Sequence, residues 1–315
     1  MKKSKILLFG TGQMAYEYSR VLKDQGHDFI VVGRGENSAK DFQDKTGIIP
    51  VTGGADKFLT QNNYSNWKAI IAVNGDQLGK VTRAAIKHDI KSILVEKPAG
   101  LDKDEITAVG KIAANYLAKV YVAYNRRFYA SVKKAREIIK KDGGILSFHF
   151  EFNELADMIA SLDHPAEIKK QWLLHNSTHV IDLAFFLGGS PKSLFASTSG
   201  SLSWHPKGAI FTGCGITTDN TPFTYHSNWQ APGRWSLEVT TKNHRLILRP
   251  MEKLQAQQKG SFNIIDITLD NELDTKFKPG LYEEVKSFLT DQDSLCRVEE
   301  QIKNLHWYNK ILEGK

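Results

Sequence analysis

The sequence predicts an α/β fold with a doubly wound parallel sheet over residues 1–123, followed by a mostly antiparallel, β-rich domain over residues 124–315. Short apolar runs alternate with helical patterns in the first part, which is typical of a parallel sheet covered by helices. Strand-like alternation dominates the second part. The chain has 315 residues, which suits two domains of roughly 150 residues each.

The first domain follows a regular order of strand and helix. Apolar runs that stop at glycine or polar residues predict its strands, because a parallel strand is buried on both faces. Apolar residues at helical spacing predict the helices between them. The predicted strands cover residues 5–9, 28–32, 68–73, 92–95 and 120–123, and the predicted helices cover residues 13–25, 39–45, 78–88 and 103–118.

The second domain begins with one helix and then becomes rich in strands, which predicts a large sheet with helices on one face. A helical segment around residues 177–187 interrupts the strands, and two helices close the chain. The predicted strands cover residues 146–152, 193–199, 209–217, 221–229, 236–241, 245–249 and 262–269, and the remaining helices cover residues 131–141, 281–290 and 298–312.

Charge and cysteine content narrow the class of protein. The net charge of +7 is spread along the chain without a run of five Lys or Arg residues, so we expect no nucleic-acid partner. The positive charge fits either general solubility or an anionic ligand, such as a dinucleotide or a phosphorylated substrate, and composition alone does not choose between them. The apolar run 6–9 is far too short to span a bilayer, so we expect no membrane partner. Cys214 and Cys296 form no CxxC pair, which predicts reduced thiols in a cytoplasmic protein.

A glycine turn follows the first predicted strand and opens the first predicted helix. Gly10 allows the tight turn, Gly12 lets the backbone approach a pyrophosphate, and the small Ala15 lets helix and strand pack closely. The N–H groups at the start of the helix, at Gln13 and Met14, face such an anion. In this strand–turn–helix context, the pattern predicts a Rossmann domain that binds a dinucleotide.

The end of the second predicted strand bears on the choice of dinucleotide. NAD-binding domains usually carry Asp or Glu there, to bind the ribose 2′-hydroxyl. Here the strand ends in Val32-Gly33-Arg34-Gly35, and Arg34 is placed to bind a 2′-phosphate. NADP is therefore the predicted cofactor, and NAD is the alternative, with Arg34 stacked on adenine. Asn74 ends the third strand, where we expect it beside the nicotinamide ribose.

Glu96-Lys97-Pro98 follows the fourth predicted strand, at the sheet edge where ligands bind in open α/β folds. We expect Glu96 and Lys97 to contact the cofactor there. A lysine in this position can also protonate or orient a substrate oxygen. The alternative for Lys97 is a solvated surface side chain.

Four motifs in this order resemble the glucose–fructose oxidoreductase, inositol dehydrogenase and rhizopine-catabolism family. They are Gly10-x-Gly12-x-x-Ala15, Glu96-Lys97-Pro98, Tyr124-Asn125-Arg126-Arg127-Phe128, and His179-Val180-Ile181-Asp182 ahead of Leu187-Gly188-Gly189. The resemblance spans essentially the whole chain. It implies a Rossmann domain followed by an open-faced β-sheet that forms a homodimer or homotetramer.

The same resemblance implies an NAD(P)-dependent dehydrogenase or reductase that acts on CH–OH groups. Hydride would pass between the nicotinamide and a carbon of a sugar, polyol or sugar nucleotide. Lys97 and His179 fall on the motifs that carry the two catalytic residues of the family. The resemblance therefore implies that both are catalytic here.

The chain departs from the family pattern at position 175, where many members have Asp four residues before the catalytic His. His175, His179 and Asp182 are spaced to share one helix face, which predicts that Asp182 orients His179 and that His175 joins the site. Alternatively, Asn176 or Ser177 caps the helix, and His175 lies in a loop at the same pocket. A zinc site is not predicted, because a third ligand is missing.

Other polar and aromatic residues are candidates for the same pocket. We expect Asn125 to contact nicotinamide or substrate, Asn176 to contact substrate, and Tyr124 and Trp172 to stack on a sugar ring. Arg127 and its neighbour Arg126 either bind a phosphate or carboxylate or form ion pairs between the two domains.

Two other functions fit the same sequence. One is a glycosidase that oxidises and re-reduces its sugar on a tightly bound NAD within one turnover. The other is a dinucleotide-binding regulator without catalysis, for which the missing Asp at position 175 argues.

Overall fold

The computed structural model describes residues 5–290 and 294–315, and the chain forms two compact units. The first unit comprises Met1–Asn125 and Leu273–Lys303, and the second comprises Arg126–Glu272 and Asn304–Lys315. The sequence prediction divided the chain only once, after residue 123. It did not anticipate that residues 273–303, the return segment, belong with the first unit.

Ten regular elements precede the boundary between the two units. They are β1 (Ile6–Phe9), α1 (Gln13–Asp24), β2 (Phe29–Val32), α2 (Glu36–Thr46), α3 (Gly54–Leu59), β3 (Lys68–Ile71), α4 (Leu78–Lys87), β4 (Ser92–Glu96), α5 (Lys103–Asn115) and β5 (Lys119–Ala123). Strands and helices alternate as the apolar patterns predict, and β1 and β3 to β5 are mostly buried.

The chain continues through a 3₁₀ helix (Asn125–Phe128) and the elements of the second unit. These are α6 (Ala130–Lys141), β6 (Ser147–Phe152), α7 (Ala156–Ser161), α8 (Ala166–Lys170), a π-helix (Leu173–Ser177), α9 (Thr178–Gly188), β7 (Pro191–Ser199), β8 (Ile210–Thr217), β9 (Pro222–Asn228), β10 (Trp235–Thr240), β11 (His244–Leu248), β12 (Gln255–Gln258) and β13 (Ile264–Asp266). The last elements are α10 (Glu272–Lys276), α11 (Leu281–Leu289), β14 (Cys296–Arg297) and α12 (Val298–Glu313).

The sheet of the first unit has the strand order β14-β5-β4-β3-β1-β2. Strands β1 to β5 are parallel, with Ile6 opposite both Phe29 and Lys68, and β14 is antiparallel to β5. The carboxyl ends of parallel strands meet at one edge of the sheet. This arrangement brings the turns after β1, β2, β3 and β4, which carry predicted site residues, to that edge.

The return segment is held to the first unit by specific contacts. Lys68 Nζ donates to the carbonyl oxygens of Phe288 and Leu289, at 3.1 Å each. A Cβ at Gly110 would come within 2.3 Å of Ile302 Cδ1, so α12 packs against α5 at a distance that only glycine permits. The segment is therefore an integral part of the first unit.

The sheet of the second unit has the order β13-β12-β11-β10-β6-β9-β8-β7. All neighbours are antiparallel except β6 and β9, which run parallel. Phe150 in β6 and Phe223 in β9 pack against Phe185 of α9, with ring centroids 5.9 and 5.6 Å apart. The predicted fold class, a doubly wound parallel sheet followed by a mostly antiparallel sheet, is confirmed.

The structure differs from the predicted elements in several places. The strand predicted at 262–269 is reduced to Ile264–Asp266, and β12 was not predicted, because Ala256 is the single apolar residue in Gln255–Gln258. The short helices α3, α7 and α8 were also missed, since each spans fewer than two full turns. In the described part of the chain, no helix is both long and apolar enough to cross a membrane.

Candidate functional site

The glycine turn between β1 and α1 has the geometry that pyrophosphate binding requires. Gly10 has φ of +124°, and a Cβ there would lie 2.1 Å from the carbonyl oxygen of Ala72, so only glycine fits. A Cβ at Gly12 would meet no atom within 4 Å, which leaves open space above the backbone. Helix α1 begins directly after it without a side-chain cap, and its first turn has no acidic residue. Such a helix start attracts an anion.

This turn forms part of a cavity of about 480 Å³ within the first unit. The cavity brings together four of the predicted cofactor residues, Gly10, Gly12, Arg34 and Asn74. Gln13 and Met14 lie in the first turn of α1 beside it but are not among its lining residues. The size and lining match a dinucleotide pocket, which is mostly apolar with a few polar groups.

Two hydroxyl groups lie near Arg34, one on Thr11 between β1 and α1 and one on Ser38 in α2. Neither residue was among the predicted site residues. Thr11 Oγ1 donates to Ser38 Oγ at 3.0 Å, and Ser38 Oγ donates to the carbonyl oxygen of Gly35 at 3.1 Å. Both side chains line the cavity together with Arg34. The guanidinium of Arg34 is the donor at this point that suits a 2′-phosphate, because the hydrogens of both hydroxyls already have acceptors within the protein.

Strand β4 ends at Glu96, and the next peptide, Lys97-Pro98, is cis. Glu96 Oε1 accepts a hydrogen bond of 2.9 Å from the hydroxyl of Tyr18 in α1. Burial raises the pKa of Glu96 above its usual value, whereas the nearby ammonium groups of Lys97 and Lys278 act in the opposite direction. Lys97 itself is partly buried.

Tyr124 and Asn125 follow β5 and point into the first unit. The ring of Tyr124 is 1% exposed, and its hydroxyl donates to Gln301 Oε1 at 3.1 Å. Asn125 Nδ2 donates to the carbonyl oxygen of Pro279 at 2.9 Å. The structure therefore corrects the expected stacking of Tyr124 on a sugar, because this ring presents no open face. The ligand contact of Asn125 stays a prediction.

In the second unit, His175 and Asn176 lie in the π-helix that runs directly into α9. Ser177 occupies the N-cap position of α9 but makes no side-chain cap hydrogen bond, and His175 and Asn176 lie within the π-helix, so the alternative with His175 in a loop is corrected. Instead, Asn176 Nδ2 donates to both carboxylate oxygens of Glu154, at 3.1 and 2.9 Å, and Ser177 Oγ donates to one of them at 2.7 Å. Glu154 had no sequence signal.

The π-helix also changes the face that the histidines share. Its hydrogen bonds join residues five apart, so the α-helical spacing assumed for positions 175 and 179 does not hold across it. His175 and His179 are both buried, at 7% and 6% exposed. Such segments are frequent at functional sites.

Asp182 and Arg127 form a buried ion pair with two hydrogen bonds. Arg127 Nε donates to Oδ2 at 2.8 Å and Nη2 to Oδ1 at 2.5 Å, and the side chains are 3% and 1% exposed. The ion pair expected of Arg127 is present, but it joins two residues of the second unit, so the prediction that it would be interdomain is corrected. Both oxygens of Asp182 are engaged by the guanidinium, and its proposed action on His179 stays a prediction.

A second cavity, of about 310 Å³, lies within the second unit. It brings the predicted substrate residues Trp172 and Asn176 together with Arg126 and Trp235. The guanidinium of Arg126 lies 4.7 Å from the ring centroid of Trp235, and the His179 ring lies 6.2 Å from the same indole. Aromatic faces beside amide and guanidinium donors suit a polyhydroxylated ligand.

No family model and no curated protein matches the chain by sequence. Solved structures do match it over nearly its full length. One is an oxidoreductase from Agrobacterium radiobacter in complex with NAD+, L-tartaric acid and magnesium, with a TM-score of 0.82 and 14% identity over 99% of this chain and 96% of that chain.

Two further structures are named for their substrates. Levoglucosan dehydrogenase in complex with NADH matches with a TM-score of 0.79 and 16% identity, over 99% of this chain and 97% of that chain. A UDP-N-acetylglucosamine 3-dehydrogenase from Acidithiobacillus ferrooxidans matches with a TM-score of 0.77 and 13% identity, over 100% and 98% of the two chains. The chain therefore has the two-domain fold of these oxidoreductases, a Rossmann domain joined to an open-faced β-sheet domain.

Proposed function

We propose that this protein is an NAD(P)-dependent dehydrogenase or reductase that transfers hydride between the nicotinamide and a sugar, polyol or sugar-nucleotide carbon. The observation that carries the proposal is the open space above Gly12 at the start of α1, inside a cavity of about 480 Å³. The shared fold with levoglucosan and UDP-N-acetylglucosamine dehydrogenases supports the same class of substrate.

The bound dinucleotide supplies the hydride acceptor in oxidation and the hydride donor in reduction. The protein's task is then the hydroxyl proton, which leaves the substrate oxygen as the C–H bond breaks. We assign Lys97 and His179 to this proton, because amine and imidazole groups can be brought near neutral pKa by their surroundings. Trp172 and Asn176 are assigned to hold the substrate.

NADP is proposed as the preferred cofactor. Arg34, Ser38 and Thr11 line the cavity at the end of β2, where a 2′-phosphate lies in NADP-binding domains. Of the three solved structures described above, two contain a cofactor, NAD+ in one and NADH in the other. The proposed preference for NADP is therefore argued from the residues of the present chain.

The proposed activity is tested with purified protein, NADP+ or NAD+, and a panel of sugars, polyols and sugar nucleotides, followed by absorbance at 340 nm. Lys97→Ala and His179→Ala should each lower kcat by about 100-fold or more, as expected for loss of an acid–base group, with dinucleotide affinity retained. Lys87→Ala, an exposed lysine on α4, is the matched control.

The rival functions give different results in this experiment. Hydrolysis of a glycoside without net change in the cofactor would identify the glycosidase. Tight dinucleotide binding without turnover of any member of the panel would favour the regulator and contradict the proposed function.

We further propose that the second sheet mediates a homodimer or homotetramer. Phe195 and Ile216, on β7 and β8, are 73% and 43% exposed and line a shallow groove on this sheet. Light scattering of wild type and Phe195→Asp tests this, with a shift to monomer expected in the variant. The free thiols of Cys214 and Cys296 support a cytoplasmic location.

A further inference from the structure

The cavity of about 480 Å³ in the first unit contains a carboxylate that the end of β2 does not supply. Among its described lining residues, three carry a charge, namely Arg34, Asp56 and Lys80. Arg34 lies in the turn after β2, Asp56 lies in α3 and Lys80 lies in α4. Asp56 therefore gives the cavity an acidic group, although the sequence has none at the tip of β2.

Backbone hydrogen bonds fix the segment that carries Asp56 to the turn that carries Arg34. The N–H of Gly33 donates to the carbonyl oxygen of Val51 at 2.8 Å, and the N–H of Gly54 donates to that of Gly33 at 2.9 Å. A Cβ at Gly54 would lie 3.9 Å from Arg34 Cγ. Helix α3 begins at Gly54 and has Asp56 in its first turn. The carboxylate is therefore held at the same end of the cavity as the guanidinium.

Asp56 and Lys80 form an ion pair that is open to solvent. Lys80 Nζ lies 3.7 Å from Asp56 Oδ2, and the two side chains are 62% and 68% exposed. An exposed pair at this distance contributes little to stability, so the ammonium group can turn to another anion at little cost. With Lys80 paired to Asp56, the charge of Arg34 is the positive charge in excess among the charged lining residues.

The two dinucleotides make opposite demands on these charges. The adenosine ribose of NAD has a 2′-hydroxyl, which donates to a carboxylate in NAD-binding domains. The same ribose of NADP has a 2′-phosphate, which needs cationic donors and is repelled by a carboxylate. Asp56 thus suits NAD and Arg34 suits NADP. Lys80 favours NADP in two ways, because its ammonium group neutralises Asp56 and can donate hydrogen bonds to the phosphate.

We propose that Asp56 and Lys80 are a second determinant of cofactor choice. Asp56 accepts the ribose 2′-hydroxyl of NAD, and Lys80 neutralises Asp56 and pairs with the 2′-phosphate of NADP. The proposal rests on the proposed function in one respect, namely that a dinucleotide occupies the cavity. It goes beyond the assignment of Arg34, because it explains how a cavity with that arginine also accepts NAD.

The test uses two ligands that differ only in the 2′-phosphate, 5′-AMP and 2′,5′-ADP. Calorimetric titration of the intact protein measures the affinity for each. Lys80→Met should weaken binding of 2′,5′-ADP by about tenfold or more, because the phosphate loses a cationic partner and meets an uncompensated carboxylate. Its affinity for 5′-AMP should change by less than about twofold. Lys45→Met, at an exposed position of α2 outside the cavity, is the matched control and should change neither affinity.

Asp56→Ala should change the two affinities in opposite directions. Loss of the repulsion should strengthen binding of 2′,5′-ADP by about threefold, and loss of the hydrogen-bond acceptor should weaken binding of 5′-AMP by about three- to tenfold. Asp44→Ala, at an exposed position of α2 outside the cavity, controls for the change in net charge. Changes of the same sign and size for both ligands would overturn the proposal, because they would not depend on the 2′-group.

The double variant tests whether the two side chains act on the same group. Asp56→Ala added to Lys80→Met should recover part of the lost affinity for 2′,5′-ADP, because no uncompensated carboxylate then faces the phosphate. Absence of any recovery would overturn the proposal, and so would wild-type protein that binds neither ligand. Because neither ligand contains nicotinamide, absence of hydride transfer in the activity assay contradicts the proposed function alone.

Discussion

The side-chain amide of Gln301 donates a hydrogen bond to the carbonyl oxygen of Pro98, with 3.2 Å between Nε2 and the oxygen. The same side chain accepts from the hydroxyl of Tyr124 at 3.1 Å, and it is fully buried. A residue near the end of the chain therefore anchors the turn that carries Lys97.

Replacement of Gln301 tests this anchor. Gln301→Met keeps the length of the side chain but removes both hydrogen bonds, and we expect a loss of about 2–4 kcal/mol in the free energy of unfolding. Tyr124→Phe removes only one of the two bonds and should cost about 1 kcal/mol. Urea denaturation followed by circular dichroism measures both. Equal losses in the two variants would argue against the contribution of the Pro98 bond.

The two glycines of the dinucleotide turn should respond differently to alanine. Gly10→Ala places Cβ 2.1 Å from a carbonyl oxygen at φ of +124°. We expect a loss of stability of about 3 kcal/mol or more, from backbone strain and overpacking together.

Gly12→Ala meets no protein atom, so the free protein should keep its melting temperature. The methyl group would instead occupy the space of the pyrophosphate, and dinucleotide affinity should fall by at least about tenfold, or about 1.4 kcal/mol. Calorimetric titration and thermal melting separate the two effects. Unchanged affinity in Gly12→Ala would show that the ligand lies elsewhere.

Arg34 should determine the cofactor preference. Loss of a charged hydrogen bond to phosphate costs about 1.5–3 kcal/mol, so Arg34→Ala should weaken NADP binding by roughly 10- to 100-fold and leave NAD binding nearly unchanged. Lys23→Ala removes one positive charge at an exposed position of α1 and controls for general electrostatics. Wild-type protein that binds NAD at least as tightly as NADP would refute the preference.

The ion pair of Arg127 and Asp182 should contribute to stability through its burial. Asp182→Leu or Arg127→Met alone leaves one charge buried, and each should cost about 3–5 kcal/mol. The double replacement, Arg127→Met with Asp182→Leu, should cost less than either single change. Denaturant unfolding of all variants completes the cycle, and additive losses would indicate that the two side chains act independently.

Asp142 should make the second unit sensitive to acid. Hydrogen bonds from Thr241 and His244 lower the pKa of Asp142 to about 2, and its side chain is 3% exposed. The pKa of this carboxyl is lower in the folded state than in the unfolded chain, where it is about 3.9, so its anion stabilises the fold at pH values above about 3.9. This stabilisation is lost as the pH falls through about 2.

Asp142→Ala should therefore lower the free energy of unfolding by about 2 kcal/mol at pH 7. The difference from wild type should shrink as the pH falls from about 4 toward 2. Urea titrations at several pH values measure it. Asp163→Ala, at an exposed position, should stay within about 0.5 kcal/mol of wild type at all of them.

Local patterns were sufficient to predict the features that depend on neighbouring residues. The turn at Gly10 and Gly12, the Arg34 turn and the turn at Lys97 each follow a strand of four or five residues, and the apolar runs identify those strands. This is why the fold class could be predicted from the sequence.

The rest depends on contacts between residues distant in sequence. Gln301 meets Pro98 across more than 200 positions, and no local motif predicts this contact. The hydrogen bond from Asn176 to Glu154 also joins residues that are far apart in sequence, 22 positions in this case, and no local motif predicts it. The π-helix also has no period in the sequence that distinguishes it from the α-helix that follows. The burial of Tyr124 likewise depends on the return segment.

The first unit is discontinuous along the chain, and this affects how it can be made. Strand β5 ends at Ala123, but its outer neighbour β14 begins only at Cys296. On the ribosome, β5 is thus an open sheet edge until the whole intervening unit has emerged, and open edges pair readily with other chains. Contacts of such long separation also slow folding. The sheet of the first unit can therefore be completed only after the return segment has been translated.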